Sequence, residues 1–388
     1  MLGLCICYYN YNFGSMLQAY ATMKEIERRK IDYRIIRYKK RITPLFVLKN
    51  VFRVFNATWR SEKKLVLQKK ICGVLIPQYG ANVRIRNAAF QSFMQEMFDK
   101  KVALYVGYDE LQKSADFFDE FLVGSDQMWS PSGLSTNFYN LMFVPEGKKK
   151  VSYASSFGVS KIPYYQKKKT AEFLKRIDYL SVREDTGAKI IKKLTGRDAM
   201  VVVDPTLLLT AEEWDDFSGK IPVCKEKYIF AYFLGSNLNF RKVVLELQKK
   251  TGLKIITLRH LDEYVPQDEQ FGDEFPYDLR PEGFVNLVKN AEYVCTDSFH
   301  GTVFSSLFHR QFIVFPRYCE TSSISKNSRI SSLLKNLGLE CRLYDCSKKI
   351  DVQANEYINY ELVDEKRKIM IKESVCFLDE AIGSMEKS

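Results

Sequence analysis

The sequence predicts an α/β protein built from two doubly wound parallel sheets that share a cleft. Three observations predict it. Short apolar runs alternate with longer helical stretches along the whole chain, which is the pattern of open sheets covered by helices. The runs fall into two series separated by the polar, proline-bearing stretch 204–222. A length of 388 residues suits two domains of ordinary size better than one stretched domain or three small ones.

Taken in order, the first series predicts strands at residues 2–7, 33–37, 117–123, 151–154, 179–182 and 200–203. The second predicts strands at 228–233, 254–258, 293–295 and 312–315. A helix from about residue 14 to 29 carries Met16, Tyr20, Met23 and Ile26 on one side, and another covers 301–308. A last helix, about 365–382, presents Ile369, Ile371, Val375, Phe377, Leu378 and Ile382. The expected domains are 1–206, with a basic amphipathic insertion at about 40–90, then 207–354, then a helical tail over 355–388 that packs back on the first domain.

With 46% hydrophobic and 14% aromatic residues the chain is a folding one rather than a disordered one. No run approaches the ~20 apolar residues that span a bilayer, and the opening residues lack the basic start and cleavage site of a leader. The nine cysteines include no CxxC pair and read as reduced, so the expected location is cytoplasmic. His260, His300 and His309 lie at no zinc-like spacing from other ligands, so neither a metal nor a cofactor is expected.

The net charge of +12 is concentrated in one place: eighteen Lys or Arg face four acids between Lys24 and Arg86. Between Pro44 and Asn82 these bases are mixed with Leu45, Phe46, Val47, Leu48, Phe52, Phe55, Trp59, Leu65, Val66, Leu67 and Ile71. Such a mixture suits an anionic lipid surface or a lipid-linked anionic substrate, and equally a solvated insertion over an ordinary core. Nucleic acid is not expected, because no helix-turn-helix, zinc finger or RNP motif accompanies the bases.

Ligands of doubly wound sheets gather beyond the carboxyl ends of strands, and four loops there carry chemistry. The loop from Tyr8 to Ser15 contains Asn12 and Gly14 ahead of a helix start, with either Asn12 or Ser15 as its cap. Gly124-Ser125-Asp126-Gln127-Met128-Trp129 combines a hydroxyl, a carboxylate, an amide and tryptophan, a set suited to a sugar, with Asp126 as a candidate base. Arg183 leaves a strand where a fixed guanidinium suits a carboxylate or phosphate. Thr296-Asp297-Ser298-Phe299-His300-Gly301-Thr302 sets a histidine at a helix N-terminus, a place for an anion and a proton. His260 and His309 read as structural or exposed. Further on, Arg317, Lys326 and Arg329 are candidates to close over an anion held at His300.

Together these segments resemble the polysaccharide pyruvyl transferase family. The resemblance rests on Asn12-Phe13-Gly14-Ser15 with Leu17-Gln18-Ala19-Tyr20, Val123 through Trp129, Ser152 through Gly158, Ser181-Val182-Arg183-Glu184, Asp204-Pro205-Thr206, Thr296 through Thr302 and Ser328-Arg329-Ile330. It implies two Rossmann-like domains facing across a cleft, as in GT-B glycosyltransferases. It also implies transfer of the enolpyruvyl unit of phosphoenolpyruvate to a sugar of a polysaccharide or its lipid-linked precursor, as a ketal. Donor contacts then fall on Arg183, His300, Ser298, Gly301 and Arg329, where the family often has lysine, with Lys326 as a nearby substitute. Acceptor contacts fall on Asn12, Gly14, Gln18, Ser125, Asp126 and Gln127, and the proton and base on His300 and Asp126. A lipid-linked acceptor implies peripheral contact with the inner membrane face. The alternatives are a GT-B glycosyltransferase using a nucleotide sugar, and a non-catalytic scaffold that binds lipid or polysaccharide.

Overall fold

The structure, a computed structural model, describes residues 1–41, 57–131, 133–318 and 328–383. Along the chain its elements are β1 (Leu2–Cys5), α1 (Phe13–Arg28), β2 (Tyr33–Lys39), α2 (Ala57–Leu75), α3 (Pro77–Met97), β3 (Val102–Val106), α4 (Tyr108–Ser114), β4 (Glu120–Val123), β5 (Lys149–Ser155), α5 (Lys167–Lys175), β6 (Tyr179–Val182), α6 (Asp185–Thr195) and β7 (Met200–Val201). They continue with α7 (Ala211–Ser218), β8 (Tyr228–Tyr232), α8 (Leu238–Thr251), β9 (Lys254–Thr257), α9 (Pro281–Asn290), β10 (Tyr293–Thr296), α10 (Phe299–Leu307), β11 (Gln311–Val314), α11 (Ser328–Leu337), α12 (Ile350–Ala354) and α13 (Tyr360–Ile382).

Among the described residues the strands form two sheets, ordered β3-β2-β1-β4-β5-β6-β7 and β11-β10-β8-β9. All pairings within them are parallel. Every residue of β1 and β8 is buried, as expected of central strands covered by helices on both faces, and this is why they read as unbroken apolar runs. Strand β3 is absent from the strands that the sequence predicts. It lies at the sheet edge with Leu104 54% exposed, although its residues 102–106, Val-Ala-Leu-Tyr-Val, form an apolar run.

The chain divides into two compact units. The first comprises residues 1–64, 94–208 and 370–388, and the second 65–93 and 209–369. In the first unit Trp129, Phe121, Phe143, Phe157 and Phe173 fill the core, with Trp129 packed on Phe157 and Phe173. In the second, Trp214 meets Phe217 and Phe304 edge-on, and Phe315 packs against Phe233 and Phe240.

The expected single insertion at 40–90 is corrected by this division. Residues 65–93 fold with the second unit rather than within the first, because the Tyr79 hydroxyl donates to the Leu261 carbonyl at 2.9 Å and Phe93 packs edge-on against Phe217. Helix α3 buries Tyr79, Phe90 and Phe93 while Ile85 on the same helix is 45% exposed, so it packs through one side rather than standing wholly in solvent. The portion of the expected insertion at 42–56 lies outside the described residues. Helix α2 is described, and its apolar residues are spread around much of its circumference rather than gathered on one face. The exception is a stripe of Leu67, Ile71, Val74 and Leu75, all exposed.

Residues 370–382 of α13 belong to the first unit. The Val203 amide donates to Ser374 Oγ at 2.9 Å, Arg29 Nη2 to Asp379 Oδ1 at 2.8 Å, and Phe377 packs on Tyr153 and Tyr179.

At the end of β4, Gly124 has φ +135°, a conformation that L side chains rarely adopt, and a Cβ there would overlap the Tyr153 carbonyl oxygen. Gly124→Ala is expected to lose about 3 kcal/mol or more of stability. Urea unfolding measures this, and a change below about 0.5 kcal/mol would show that the turn relaxes freely.

Candidate active site

In each sheet the strand order reverses between two neighbours, at β1 and β4 in the first and at β8 and β10 in the second. The loops leaving such a pair diverge to opposite faces and open a crevice between them. In both sheets a carboxylate ties the two loops together.

In the first unit Asn12 caps α1, accepting from the Ser15 amide at 3.1 Å, and Ser15 Oγ donates to Asp126 Oδ2 at 2.9 Å. Asp126 has φ 71°, where Asp and Asn are the better tolerated non-glycine residues. Its other oxygen, Oδ1, accepts from Arg183 Nη2 at 2.9 Å, while Arg183 Nη1 donates to Asp204 Oδ2 at 2.7 Å. Burial alone would lower the Arg183 pKa, but Asp126, Asp204 and Glu184 outweigh it and raise it. The same cluster holds Ser125, whose Oγ donates to Asp204 Oδ2 at 2.9 Å and whose amide donates to Gln18 Oε1 at 3.2 Å. Thr206 donates to Asp204 Oδ1 from both its amide and its hydroxyl.

The expected acceptor residues therefore divide by burial. Gln18 and Ser125 are fully buried ties between loops, Gly14 is buried in the first turn of α1, and Asn12 is a cap. Gln127 lies against Gly158, and Trp129 is a core residue. Asp126 keeps 16% of its side chain exposed and brings the network to the surface.

In the second unit Asp297 plays the part of Asp126. It accepts from the Leu234 and Gly235 amides at 2.7 and 2.8 Å, joining the loop after β8 to the loop after β10, and Arg317 Nη2 donates to its carbonyl at 2.8 Å. Ser298 caps α10, accepting from the Gly301 amide at 3.3 Å, and a Cβ on Gly301 would meet the side chain of Thr296. Glycine thus lets the helix start sit close on the strand end. His300 is the second residue of this helix and is 6% exposed. Phe299 meets the His300 ring edge-on at 5.2 Å, and the Arg329 guanidinium lies 5.8 Å from the Phe299 centroid. The structure so brings His300 and Arg329 to one aromatic ring beside a helix N-terminus, whose dipole favours an anion. Lys326 lies outside the described residues.

A third group escapes sequence reasoning. After β9, Asp262 accepts from Lys69 Nζ at 2.6 Å and from Arg86 Nη2 at 3.1 Å. Burial alone would raise the Asp262 carboxyl, but Arg86, His260 and Lys69 hold it below the usual carboxylate range. The His260 imidazole is pushed down to about 4, by burial first; Asp262 opposes this, and Arg317 and Arg86 add to it. From sequence His260 reads as structural or exposed, and the only signal for its surroundings is its place after a strand end. Among the described residues, no three of His, Cys, Asp and Glu converge as a metal site.

The polysaccharide pyruvyl transferase family model matches residues 12–317. No curated protein matches the chain. Solved structures similar to it include UDP-GlcNAc 2-epimerase from Neisseria meningitidis bound to UDP-GlcNAc, at 10% identity and TM-score 0.46, covering 97% of this chain and 100% of that one. UDP-GlcNAc 2-epimerase from Methanocaldococcus jannaschii shows 10% identity and TM-score 0.45 over 95% and 92% of the two chains. The wall teichoic acid polymerase TagF shows 11% identity and TM-score 0.44 over 97% and 83%.

Because the folded pKa of His260 lies below the ordinary value of 6.5, the unfolded chain takes the proton first as pH falls. This contribution to stability is complete above about pH 6.5 and is lost on descent toward pH 4, by about 1–3 kcal/mol. Thermal unfolding from pH 7.5 to 4.5 should fall less steeply for His260→Asn than for the wild type, whereas parallel profiles would show that His260 is not held neutral.

Proposed function

Because the chain belongs to the polysaccharide pyruvyl transferase family, we propose that it transfers the enolpyruvyl unit of phosphoenolpyruvate onto a pair of sugar hydroxyls, forming a pyruvate ketal. The observation that carries this reading is the meeting of His300 and Arg329 at Phe299, on the N-terminal turn of α10.

Phosphoenolpyruvate brings a phosphate and a carboxylate. In this reading the start of α10, around Ser298 and Gly301, receives one anionic group and Arg329 the other. His300 delivers a proton to the methylene carbon, which leaves a cationic centre at the neighbouring carbon. A sugar hydroxyl adds there, its proton restoring the one that His300 has given up. The bond from that carbon to the phosphate oxygen then breaks, and the second hydroxyl closes the ketal, its proton leaving with the inorganic phosphate. Phosphoenolpyruvate and a diol thus give a ketal and inorganic phosphate. The low exposure of His300, at 6%, keeps bulk water from competing for the reacting centre. No cofactor takes part in this scheme.

The reading extends to an acceptor carried on a lipid at the inner membrane face. No described helix is long and apolar enough to cross a membrane. Support for contact with a membrane surface comes from α2, where Leu67, Ile71, Val74 and Leu75 are 58%, 47%, 79% and 73% exposed, with Lys63, Lys64 and Lys70 on the same helix. An exposed aliphatic stripe with lysines beside it suits anionic headgroups.

Calorimetric titration should show phosphoenolpyruvate binding to the wild type, weakened at least about 10-fold by Arg329→Gln and by His300→Gln, the latter also without turnover. Binding of a UDP-sugar by a wild type that ignores phosphoenolpyruvate would overturn the reading. In a separate test, the protein should sediment with phosphatidylglycerol vesicles at low salt, and not with phosphatidylcholine vesicles or with the triple variant Leu67→Ser, Ile71→Ser, Val74→Ser. Sedimentation indifferent to lipid charge or to these substitutions would remove the membrane part.

A further inference from the structure

A second basic stretch lies within the first unit. Between Lys161 and Arg197 eleven Lys or Arg face four acids, Glu172, Asp178, Glu184 and Asp185. In the fold this stretch is the turn after β5, then α5, β6 and α6, and the two helices pack against one another. Helix α5 buries Thr170, Phe173 and Leu174, and α6 buries Gly187, Ile190 and Ile191. Their other sides present Lys168, Lys169 and Lys175 from α5 and Lys189, Lys192 and Lys193 from α6, all exposed. Among the described residues only Lys192 of these six is joined to a carboxylate, Asp198 Oδ2 at 2.8 Å. At the head of α5 stand Tyr164 and Tyr165, 87% and 65% exposed, with Lys167 Nζ 5.4 Å from the Tyr164 ring centroid.

We propose that this face binds an acidic glycan chain, with the tyrosines stacking on sugar rings and the lysines pairing with carboxylates spaced along the chain. The acidity of the chain rests on the pyruvyl transfer reading above. A ketal keeps the carboxylate of phosphoenolpyruvate, so each transfer adds one negative charge to the glycan, and a chain already modified becomes complementary to the face. Single exposed ion pairs are weak, and the binding comes from several made at once. Three observations select this partner. First, the arginines of the stretch are withdrawn from the face: Arg176 donates to the Val144 carbonyl at 2.6 Å, Arg197 to the Leu174 and Ile177 carbonyls at 2.9 and 2.7 Å, and Arg183 is buried. What remains is lysine, a point charge suited to single spaced carboxylates, without the guanidinium fork that suits phosphate backbones. Second, no aliphatic side chain of α5 or α6 is exposed, so the face lacks the apolar stripe that enters a bilayer. Third, the turn bearing the tyrosines leaves the carboxyl end of β5 and is tied to the loop after β4. Gln166 Nε2 donates to the Pro131 carbonyl at 3.1 Å, and the Ser156 amide to the Asp126 carbonyl at 2.9 Å. The tyrosines thus stand on the side of the sheet where ligand loops gather, and α5, nine residues and about 13 Å long, leads away from there.

The test needs no turnover. Native electrophoresis through gels containing polygalacturonate, which bears one carboxylate per sugar, or neutral dextran gives an affinity for each polymer. The wild type should bind polygalacturonate at least about 10-fold more tightly than dextran, and the difference should shrink as salt is raised. The triple variant Lys168→Gln, Lys169→Gln, Lys193→Gln should weaken polygalacturonate binding at least about 10-fold, and Tyr164→Ala at least about 3-fold. Removing the same charge from α8, by Lys242→Gln, Lys249→Gln and Lys250→Gln, should change it less than about 3-fold, because net charge alone is not the cause. Equal retardation by the two polymers, or equal losses in the α5–α6 and α8 variants, would overturn the proposal. If the triple variant does not fold, Tyr164→Ala decides: unchanged polygalacturonate binding would overturn it. Tighter binding of a single-stranded oligonucleotide or of phosphatidylglycerol vesicles, lost in the triple variant, would also overturn it and give the face to nucleic acid or to a membrane. Failure of the wild type to bind phosphoenolpyruvate in calorimetry, with polygalacturonate binding as expected, would instead refute the parent reading.

Discussion

The central strands β1 and β8 are buried along their whole length, so the carboxylate clusters that involve them lie beyond the strand ends. Beyond those ends each sheet has one place where neighbouring loops diverge, and a crevice held open there needs a tie across it. Asp126 makes the tie in the first sheet and Asp297 in the second. Each lies just past the end of its strand and accepts hydrogen bonds from the segment that follows the partner strand. The order of the strands thus decides where carboxylates are useful, and the two units reach the same solution with unrelated residues.

The two units differ in what surrounds that tie. In the first, Arg183 is enclosed by Asp126, Asp204 and Glu184, and hydroxyls complete the network. In the second, Arg317 braces Asp297, Arg329 lies over Phe299, and Arg86 and Lys69 share Asp262. His260, half-buried beside these charges, has its pKa pushed down because a further positive charge would be poorly solvated there. The total of +12 conveys none of this, since it is the pairing of charges and not their sum that decides which ligand a site welcomes.

Much of the fold was legible because burial writes itself into composition: ten strands were readable as apolar runs bounded by turn residues. Strand β3 carries such a run too, Val102 to Val106, yet is absent from the expected strands; it lies at the sheet edge with Leu104 exposed. The positions of Asp126 and His300 were readable from their places just past strand ends. The enclosure of Arg183 was not, because Asp126 and Asp204 approach it only once parallel pairing brings together the ends of β4, β6 and β7, which are far apart in sequence. Residues 65–93 mislead for a related reason. They continue the basic stretch that begins at Lys24, but the aromatic residues that decide their allegiance, Tyr79 and Phe93, find partners near residues 261 and 217.

The return of residues 370–382 to the first unit has a consequence for anyone wishing to take the protein apart. A fragment ending near residue 208 would contain every strand of the seven-stranded sheet yet leave the Val203 amide without Ser374, Arg29 without Asp379, and Tyr153 without the ring of Phe377. During synthesis these residues leave the ribosome after the whole of the second unit, so the first unit cannot be completed until the second has been made. Dissection would call for joining residues 370–382 directly to the portion ending near 208, not for simple truncation.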